Sequence, residues 1–339
     1  MCGQTIVFSN FRYSNRWRIM YTIAALFAFL TSIVSAQAQS DYPNRPIHLI
    51  VPYGPGGVAD VNMRIVANIL SERLKQPVIV ENRPGAGSIV AAKAVLSAPP
   101  DGYTLLMTGN NTAIGAAVFE ALPFNILTDF TSTSTTGFTD LLIVTRPESP
   151  LKSLADFISA ARTNPGKLNV ATTAPGSTQN LGAELLKSMA GINVTIVTFR
   201  TSAEMMVAVS RGDVDIAFEF YAAVSGLIEG KKLVALASTG ARRSAYLPAV
   251  PTVQESGIKD YEVLSWIGIS VPAATPKPII QALSKSINDV VPNPDAQEKS
   301  RALGLELRGS TPEEMNSRMK ADIEKWSELI KKANIAKIK

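Results

Sequence analysis

Apolar and polar positions follow two different patterns along the chain. Short apolar runs such as "IHLIV" and "KLNVA" are typical of buried strands, and segments with apolar residues at helical spacing follow them. After the first run, these residues are Met63, Val66, Ala67, Leu70 and Leu74. Strands that alternate with helices indicate βα units and mainly parallel sheets. Two successive series of such units predict an α/β protein with two sheets and two lobes.

The pattern becomes mostly helical near the C-terminus, after one more strand in "SWIGISVP". The last helix is long and amphipathic, and Thr311 and Pro312 mark its start. No Gly/Ser-rich linker separates the two series, so we expect ordered crossovers in which the chain leaves the first lobe, builds the second and returns. The predicted lobe 1 consists of residues 39–142 plus 264–339, and lobe 2 of residues 143–263.

The N-terminal segment, residues 1–38, has the pattern of a secretory signal. Three arginines precede an uncharged run from Ile19 to Val34, which ends in the small residues "SAQA". We predict cleavage between Ala38 and Gln39. The alternative is an uncleaved membrane anchor, which the short apolar centre "IAALFAFL" disfavours. The single cysteine leaves with this leader, so the exported chain has no disulfide to form.

Charge and side-chain chemistry argue against an enzyme and against nucleic-acid binding. The net charge of +5 includes the three arginines of the leader, and no basic cluster interleaved with aromatic residues follows. His48 is the only histidine and lies in a strand pattern, so it has no second histidine with which to build a common metal site. A serine triad would have to recruit it from that strand, and no spacing singles out a carboxylate pair. We therefore expect a binding protein with no metal and no cofactor.

Four loops that connect a strand to the following helix are rich in small or hydroxyl residues: "GPGGVAD", "TGNNT", "TTAPGST" and "RTSAE". In open α/β sheets, ligands bind beyond the carboxyl ends of the strands, where helix N-termini present N–H groups. Gly56 and Gly57 permit close backbone approach to an anion, and Asp60 complements the helix dipole or caps the loop. Arg200 suits either a carboxylate or a surface ion pair. Glu219 suits either a hinge hydrogen bond or a ligand amine.

The residues around these loops resemble one family. The segments "PNRPIHLIVPYGPGGVADVN", "RPGAGSIVAAKAV", "RGDVDIAF" and "WIGISVPAATPKPII" closely resemble the Bug family of periplasmic receptors, the solute-binding components of tripartite tricarboxylate transporters. The resemblance covers essentially the whole mature chain in the expected order. It implies a Venus-flytrap fold, in which two α/β lobes joined by crossing strands enclose the ligand. It also implies a periplasmic location and a membrane permease as partner, and we expect a monomer.

The ligand implied by the resemblance is a small carboxylate: a di- or tricarboxylate, an acidic amino acid or an aromatic acid. The loops and the resemblance together predict the ligand-binding residues Tyr53, Gly56, Gly57, Val58, Asp60, Thr108, Gly109, Asn110, Thr172, Gly176, Ser177, Thr178, Arg200, Thr201 and Glu219. The chain departs from the family pattern in places. Asn180 stands where histidine is frequent, Thr201 replaces a glycine and Glu219 an aspartate. The last two changes narrow the second lobe, so we expect a small ligand rather than a bulky one.

Two other functions stay open at this point. The receptor can feed a signalling protein instead of a transporter, and a neighbouring gene for a sensor kinase would favour that role. An exported enzyme that acts on carboxylates is the third possibility, and the thin set of catalytic side chains disfavours it.

Overall fold

The computed structural model describes residues 42–244 and 246–338. The predicted leader and its cleavage site lie outside the described residues. A compact unit begins at Arg45. In the described part of the chain, no helix is both long enough and apolar enough to cross a membrane.

The strands form two sheets that share one long strand. The first sheet has the order β2-β1-β3-β9-β4, and the second has β8-β4-β7-β5-β6. In each sheet all strands but one point the same way, the exceptions being β9 in the first and β4 in the second. This arrangement confirms the predicted α/β class with mainly parallel sheets. The strands of the described residues are β1 (Ile47–Val51), β2 (Val78–Asn82), β3 (Thr104–Gly109), β4 (Phe130–Thr145), β5 (Asn169–Thr172), β6 (Thr195–Thr198), β7 (Ile216–Phe220), β8 (Val234–Ser238) and β9 (Leu264–Pro272).

The helices cover the sheets and begin at the residues that their capping chemistry favours. Ser153 caps α4 by accepting a hydrogen bond from the backbone N–H of Asp156, and Thr311 begins α10 with a capping box. Both starts agree with the sequence prediction. The helices are α1 (Val58–Leu74), α2 (Ile89–Leu96), α3 (Asn110–Val118), α4 (Leu154–Thr163), α5 (Thr178–Ala190), α6 (Ser202–Arg211), α7 (Tyr221–Glu229), α8 (Lys277–Asn288), α9 (Pro294–Ala302) and α10 (Pro312–Lys332).

The shared strand β4 has 16 residues, and its two halves have different partners. The first half pairs with β9, and the second half pairs with β7 and β8. The apolar run "LLIVT" predicts only the second half. The first half is rich in Ser and Thr but is buried, because its hydroxyls bond to backbone carbonyls: Thr133 donates to Ile269 O at 2.7 Å and Thr135 to Arg308 O at 2.8 Å.

Asp140, also on β4, is a buried carboxyl group whose Oδ2 has no hydrogen-bond partner among the described residues. Glu306, Arg242 and Tyr246 line the same pocket. Burial raises the pKa of Asp140 to about 6, and the Glu306 carboxylate adds to the rise. The folded protein therefore holds a proton that the unfolded chain releases, so this group stabilises the fold at low pH. That contribution is lost as the pH rises through about 6.

Replacing Asp140 with asparagine is expected to stabilise the protein at neutral pH. The shift corresponds to about 3 kcal/mol, but the new amide N–H groups need acceptors, so we expect a net gain of about 1 kcal/mol. The gain should vanish near pH 4, where the carboxyl group is protonated in the folded state. Urea unfolding at the two pH values measures it, with the exposed Asp295→Asn as control. An equal effect of Asp140→Asn at both pH values would contradict the raised pKa.

Candidate functional site

Two adjoining chambers lie beside the carboxyl ends of β1, β3 and β7. The apolar chamber has a volume of about 240 Å³ and is lined by Pro52, Tyr53, Gly57, Val58, Ala59, Met107, Thr108, Gly109, Asn111, Thr112, Thr139, Phe220, Ser265, Trp266, Ile267, Leu303 and Leu305. The loop chamber has a volume of about 480 Å³ and receives residues from both sheets. Pro52, Tyr53, Asn111 and Phe220 line both chambers, which are therefore parts of one cleft.

The first loop (residues 55–60) is tied together by Asp60, which is 1% exposed. Its Oδ2 accepts hydrogen bonds from Gly56 N at 2.8 Å and Arg64 Nε at 3.1 Å, and its Oδ1 accepts one from Asn82 Nδ2 at 2.8 Å. Burial alone would raise the pKa of Asp60, but these hydrogen bonds outweigh it and hold the pKa below 3.8. The ionised carboxylate thus fixes the shape of the loop.

The second loop (residues 175–180) repeats this arrangement in the second sheet. Its sequence "PGSTQN" matches "PGGVAD" of the first loop in spacing, and each loop leads into a helix at the same position. Gly176 N donates to Asn180 Oδ1 at 3.1 Å, four residues on, as Gly56 N does to Asp60. Both glycines have positive φ values, 77° and 87°, which glycine adopts without steric cost. Asn180 is neutral, so the second loop needs no counterpart of Arg64.

The two loops differ in the capping of the helices that follow them. Ser177 Oγ accepts a hydrogen bond from Asn180 N at 3.1 Å and caps α5. Gly57 has no side chain to offer, so α1 begins without a side-chain cap. Gly109 likewise offers none to α3, although Thr112 Oγ1 accepts a hydrogen bond from Gly109 N at 3.1 Å. Residues of both N-termini line the apolar chamber, and so does Phe220, the N-cap of α7, which likewise has no side-chain cap. Because helix N-termini without a side-chain cap carry partial positive charge, the part of the apolar chamber that these residues line attracts an anion.

Asn110 connects three helices instead of lining a chamber. It is 1% exposed, its Oδ1 accepts a hydrogen bond from Trp326 Nε1 at 3.0 Å, and its Nδ2 donates to Thr178 Oγ1 at 3.1 Å. The Thr178 hydroxyl donates in turn to Asn111 Oδ1 at 3.2 Å. The expected loop "TGNNT" is not a loop, because β3 ends at Gly109 and α3 begins at Asn110. Asn110 therefore links α3, α5 and α10.

The chambers contain part of the predicted site. Tyr53, Gly57, Val58, Thr108 and Gly109 line the apolar chamber, and Tyr53, Gly176, Ser177 and Thr178 line the loop chamber. Asn111 Nδ2 donates to the Tyr53 hydroxyl at 2.8 Å. Burial raises the pKa of Tyr53 more than this hydrogen bond lowers it, so the hydroxyl is neutral. Gly56, Asp60, Asn110 and Thr172 line neither chamber.

Three predicted residues from the second sheet also line neither chamber. Arg200 is exposed, and Thr201 caps α6. Glu219 is 1% exposed, and its Oε1 accepts hydrogen bonds from Gln179 Nε2 at 3.0 Å and Phe220 N at 2.7 Å. Its Oε2 is buried without a partner among the described residues. The structure therefore gives no support to a site narrowed by Thr201 and Glu219.

The residues that form the apolar wall of the site were not predicted from the sequence. It is formed by Met107, Phe220, Trp266, Leu303 and Leu305, which come from β3, β7, β9 and the segment after α9. No shared motif or spacing connects these residues, and each lies in an ordinary apolar pattern. Only the fold brings them together.

The family of the chain follows from comparison with known proteins. Residues 62–335 match the model of the tripartite tricarboxylate transporter family receptor. The chain belongs to this family. It is also 32% identical to the protein BugT of Bordetella pertussis over 328 residues, which cover 96% of this chain and 100% of BugT. The family is one of periplasmic solute-binding receptors and not of enzymes, which confirms the resemblance seen in the sequence.

Solved structures show the same two-lobed fold. A protein from R. palustris, determined with adipate, is 31% identical with a TM-score of 0.74, and the match covers 88% of this chain and 100% of that one. The periplasmic binding protein BugD is 28% identical with a TM-score of 0.71, covering 88% and 100%. MatC from Rhodopseudomonas palustris, with bound malate, is 27% identical with a TM-score of 0.69, covering 85% and 100%. Carboxylates are thus bound by structures of this family.

Proposed function

We propose that this protein is a periplasmic receptor that binds a small carboxylate in the two chambers and delivers it to the membrane subunits of a tripartite tricarboxylate transporter. The observation that carries the proposal is the pair of helix N-termini without a side-chain cap, of α1 and α3, whose first residues line the apolar chamber. Backbone N–H groups at such N-termini bind carboxylates without a basic side chain. The adipate and malate in related structures support the ligand class.

The proposed lobes are residues 39–142 plus 264–339, and residues 143–263. The long strand β4 passes from the first sheet into the second, and the loop chamber takes walls from both. In this proposal a hinge motion about the crossing strands closes the second loop onto a ligand held at the first. Contacts to both lobes then stabilise the closed form.

Gly57→Ala tests the placement of the carboxylate. The φ of −76° at Gly57 suits alanine, and no atom lies within 4 Å of the added Cβ, so the fold should be unchanged. The methyl group is added beside the uncapped N–H groups of α1, where it hinders the approach of a carboxylate. We expect about tenfold weaker binding, which corresponds to about 1.4 kcal/mol. Calorimetric titration of the refolded protein with adipate, malate and benzoate measures the change.

Gly54→Ala is the matched control. Its added Cβ also has no atom within 4 Å, and Gly54 lines neither chamber, so affinity should be unchanged. An equal loss in both variants would place the carboxylate elsewhere. If no acid binds the folded wild-type protein, the receptor proposal itself fails.

A further inference from the structure

A chain of side-chain hydrogen bonds runs from the last helix to the cleft. Its members are, in order, Trp326, Asn110, Thr178, Asn111 and Tyr53, joined at distances of 3.0, 3.1, 3.2 and 2.8 Å. Trp326 and Asn110 line neither chamber, whereas Asn111 and Tyr53 line both. Thr178 begins α5, which follows β5 of the second sheet. The chain therefore passes from the first-sheet side of the cleft to the second and back.

The direction of every bond in this chain follows from its first member. The indole N–H of Trp326 can only donate, so Asn110 presents its oxygen to Trp326 and its amide nitrogen to Thr178. Thr178 Oγ1 therefore accepts that bond, and the one acceptor for its own proton among the described residues is Asn111 Oδ1. Asn111 must then present its amide nitrogen to Tyr53. The hydroxyl oxygen of Tyr53 accepts this last bond, and its own proton stays available.

The Tyr53 hydroxyl group is held in place as a hydrogen-bond donor at the junction of the two chambers. Its proton has no acceptor among the described residues. The backbone oxygen of Tyr53 accepts a hydrogen bond from Asn82 Nδ2 at 3.0 Å, and Asn82 also bonds to Asp60, so Tyr53 is fixed to the first loop. Burial raises the pKa of Tyr53, so the hydroxyl keeps its proton at neutral pH. A ligand oxygen that accepts this proton supplies the hydrogen bond that the protein leaves unmade.

On the basis of the proposed function, we infer that Tyr53 is a specificity-determining residue whose hydroxyl donates a hydrogen bond to a carboxylate oxygen of the ligand, and that Asn111 is the positioning residue that directs this donor. A charged acceptor makes such a bond shorter and stronger than a neutral one. A group that can only donate, such as an ammonium, has no partner at this hydroxyl. Because Thr178 and Asn111 lie on opposite sides of the cleft, the donor is fixed only while those sides are in contact.

Tyr53→Phe tests the donor, because it removes the hydroxyl and keeps the ring. Calorimetric titration of the refolded protein with adipate, malate and benzoate should show at least about tenfold weaker binding of each acid that the wild type binds. Tyr261→Phe is the matched control: its hydroxyl donates to Gly182 O at 2.9 Å and lines neither chamber, so affinity should be unchanged although stability falls. Unchanged affinity in Tyr53→Phe overturns the inference and leaves the carboxylate receptor intact. Absence of binding of every acid by the folded wild type overturns the proposed function instead.

A double-mutant cycle tests the role of Asn111. This residue is exposed, so Asn111→Asp carries little risk to folding. A carboxylate here accepts from both Thr178 and Tyr53, and so takes the Tyr53 proton away from the ligand. It also repels an anionic ligand, but that repulsion acts with or without the Tyr53 hydroxyl. We therefore expect Asn111→Asp to weaken binding by a factor about tenfold larger in the wild type than in Tyr53→Phe. Equal factors in the two backgrounds, with folding confirmed by circular dichroism, would overturn the positioning role of Asn111.

Discussion

Replacing Asp60 with alanine is expected to lower the free energy of unfolding by about 3 kcal/mol, because the change breaks a buried charge pair. Gly56 N, Asn82 Nδ2 and Arg64 all lose their acceptor; Gly56 lies in the loop that precedes α1, and Asn82 lies at the end of β2. Arg64 is 48% exposed and can turn towards water, which keeps the cost at the lower end for such pairs. Loss of the hydrogen bond from Gly56 N also makes the first loop less rigid, so carboxylate binding should weaken together with stability. Urea unfolding and calorimetric titration measure the two effects.

The pH dependence identifies the source of this loss. Since the pKa of Asp60 is lowered in the folded state, its contribution is present above about pH 4 and is lost as the pH falls through the folded value. Asp295→Ala is the matched control: Asp295 also lies in the first turn of a helix and pairs with a cation four residues on, Lys299, but the side chain is 64% exposed. That variant should lose less than about 1 kcal/mol. Similar losses in the two variants would show that the buried ties of Asp60 add nothing.

Gly109→Ala is expected to cost more than about 3 kcal/mol, at the upper end for overpacking. An added Cβ at Gly109 meets the backbone carbonyl oxygen of Trp266, on the paired strand β9, at 2.1 Å. The φ of 167° is ordinary extended backbone, so the cost comes from space and not from conformation. Because Trp266 and Ile267 line the apolar chamber, separating β3 from β9 also deforms the site. Thermal and urea unfolding should show the loss.

Gly115→Ala is the control for the same helix. Its Cβ would lie 3.5 Å from the carbonyl oxygen of Gly87, an ordinary contact, and alanine favours the interior of α3. We expect unchanged stability or a gain of up to about 1 kcal/mol. A Gly109→Ala variant as stable as Gly115→Ala would mean that the two strands separate at no cost, against the close pairing seen here.

The loops could be located from the sequence because backbone geometry restricts them to few residue types. Positive φ at Gly56 and Gly176 favours glycine, and in both loops the glycine lies two residues before the first residue of a helix. The roles of individual loop residues were harder to predict. The sequence allowed Asp60 either to cap its loop or to bind ligand, and the structure uses it to hold the loop. Asn110 was expected only at the ligand, but it links three helices instead. A side chain's partner depends on what packs against it, and the pattern of its own segment does not contain that information.

The first half of β4 shows the same limit for the fold. "FTSTSTTGFTD" has the composition of a loop, yet Thr133 and Ser134 are fully buried between neighbouring segments. Their hydroxyls are tolerated there because backbone groups distant in sequence complete their hydrogen bonds: Ile269 O for Thr133 and Ser310 N for Ser134. A prediction from local hydrophobicity uses only the residues of one segment, so it misses a strand that is polar in sequence but buried in the fold.

The sequence by itself determined the α/β class, the family and the position of the two glycine-containing loops at Gly56 and Gly176, since these depend on local periodicity, capping and backbone conformation. The tertiary structure decided which helix N-termini reach the cleft and where its uncharged, apolar side chains lie. Those features arise from residues far apart in the chain, such as Met107, Phe220, Trp266 and Leu305, which share a surface only after the sheets have formed. The chemical lining of the ligand site therefore depends on tertiary packing, whereas the α/β scaffold that positions it can be predicted from the sequence pattern.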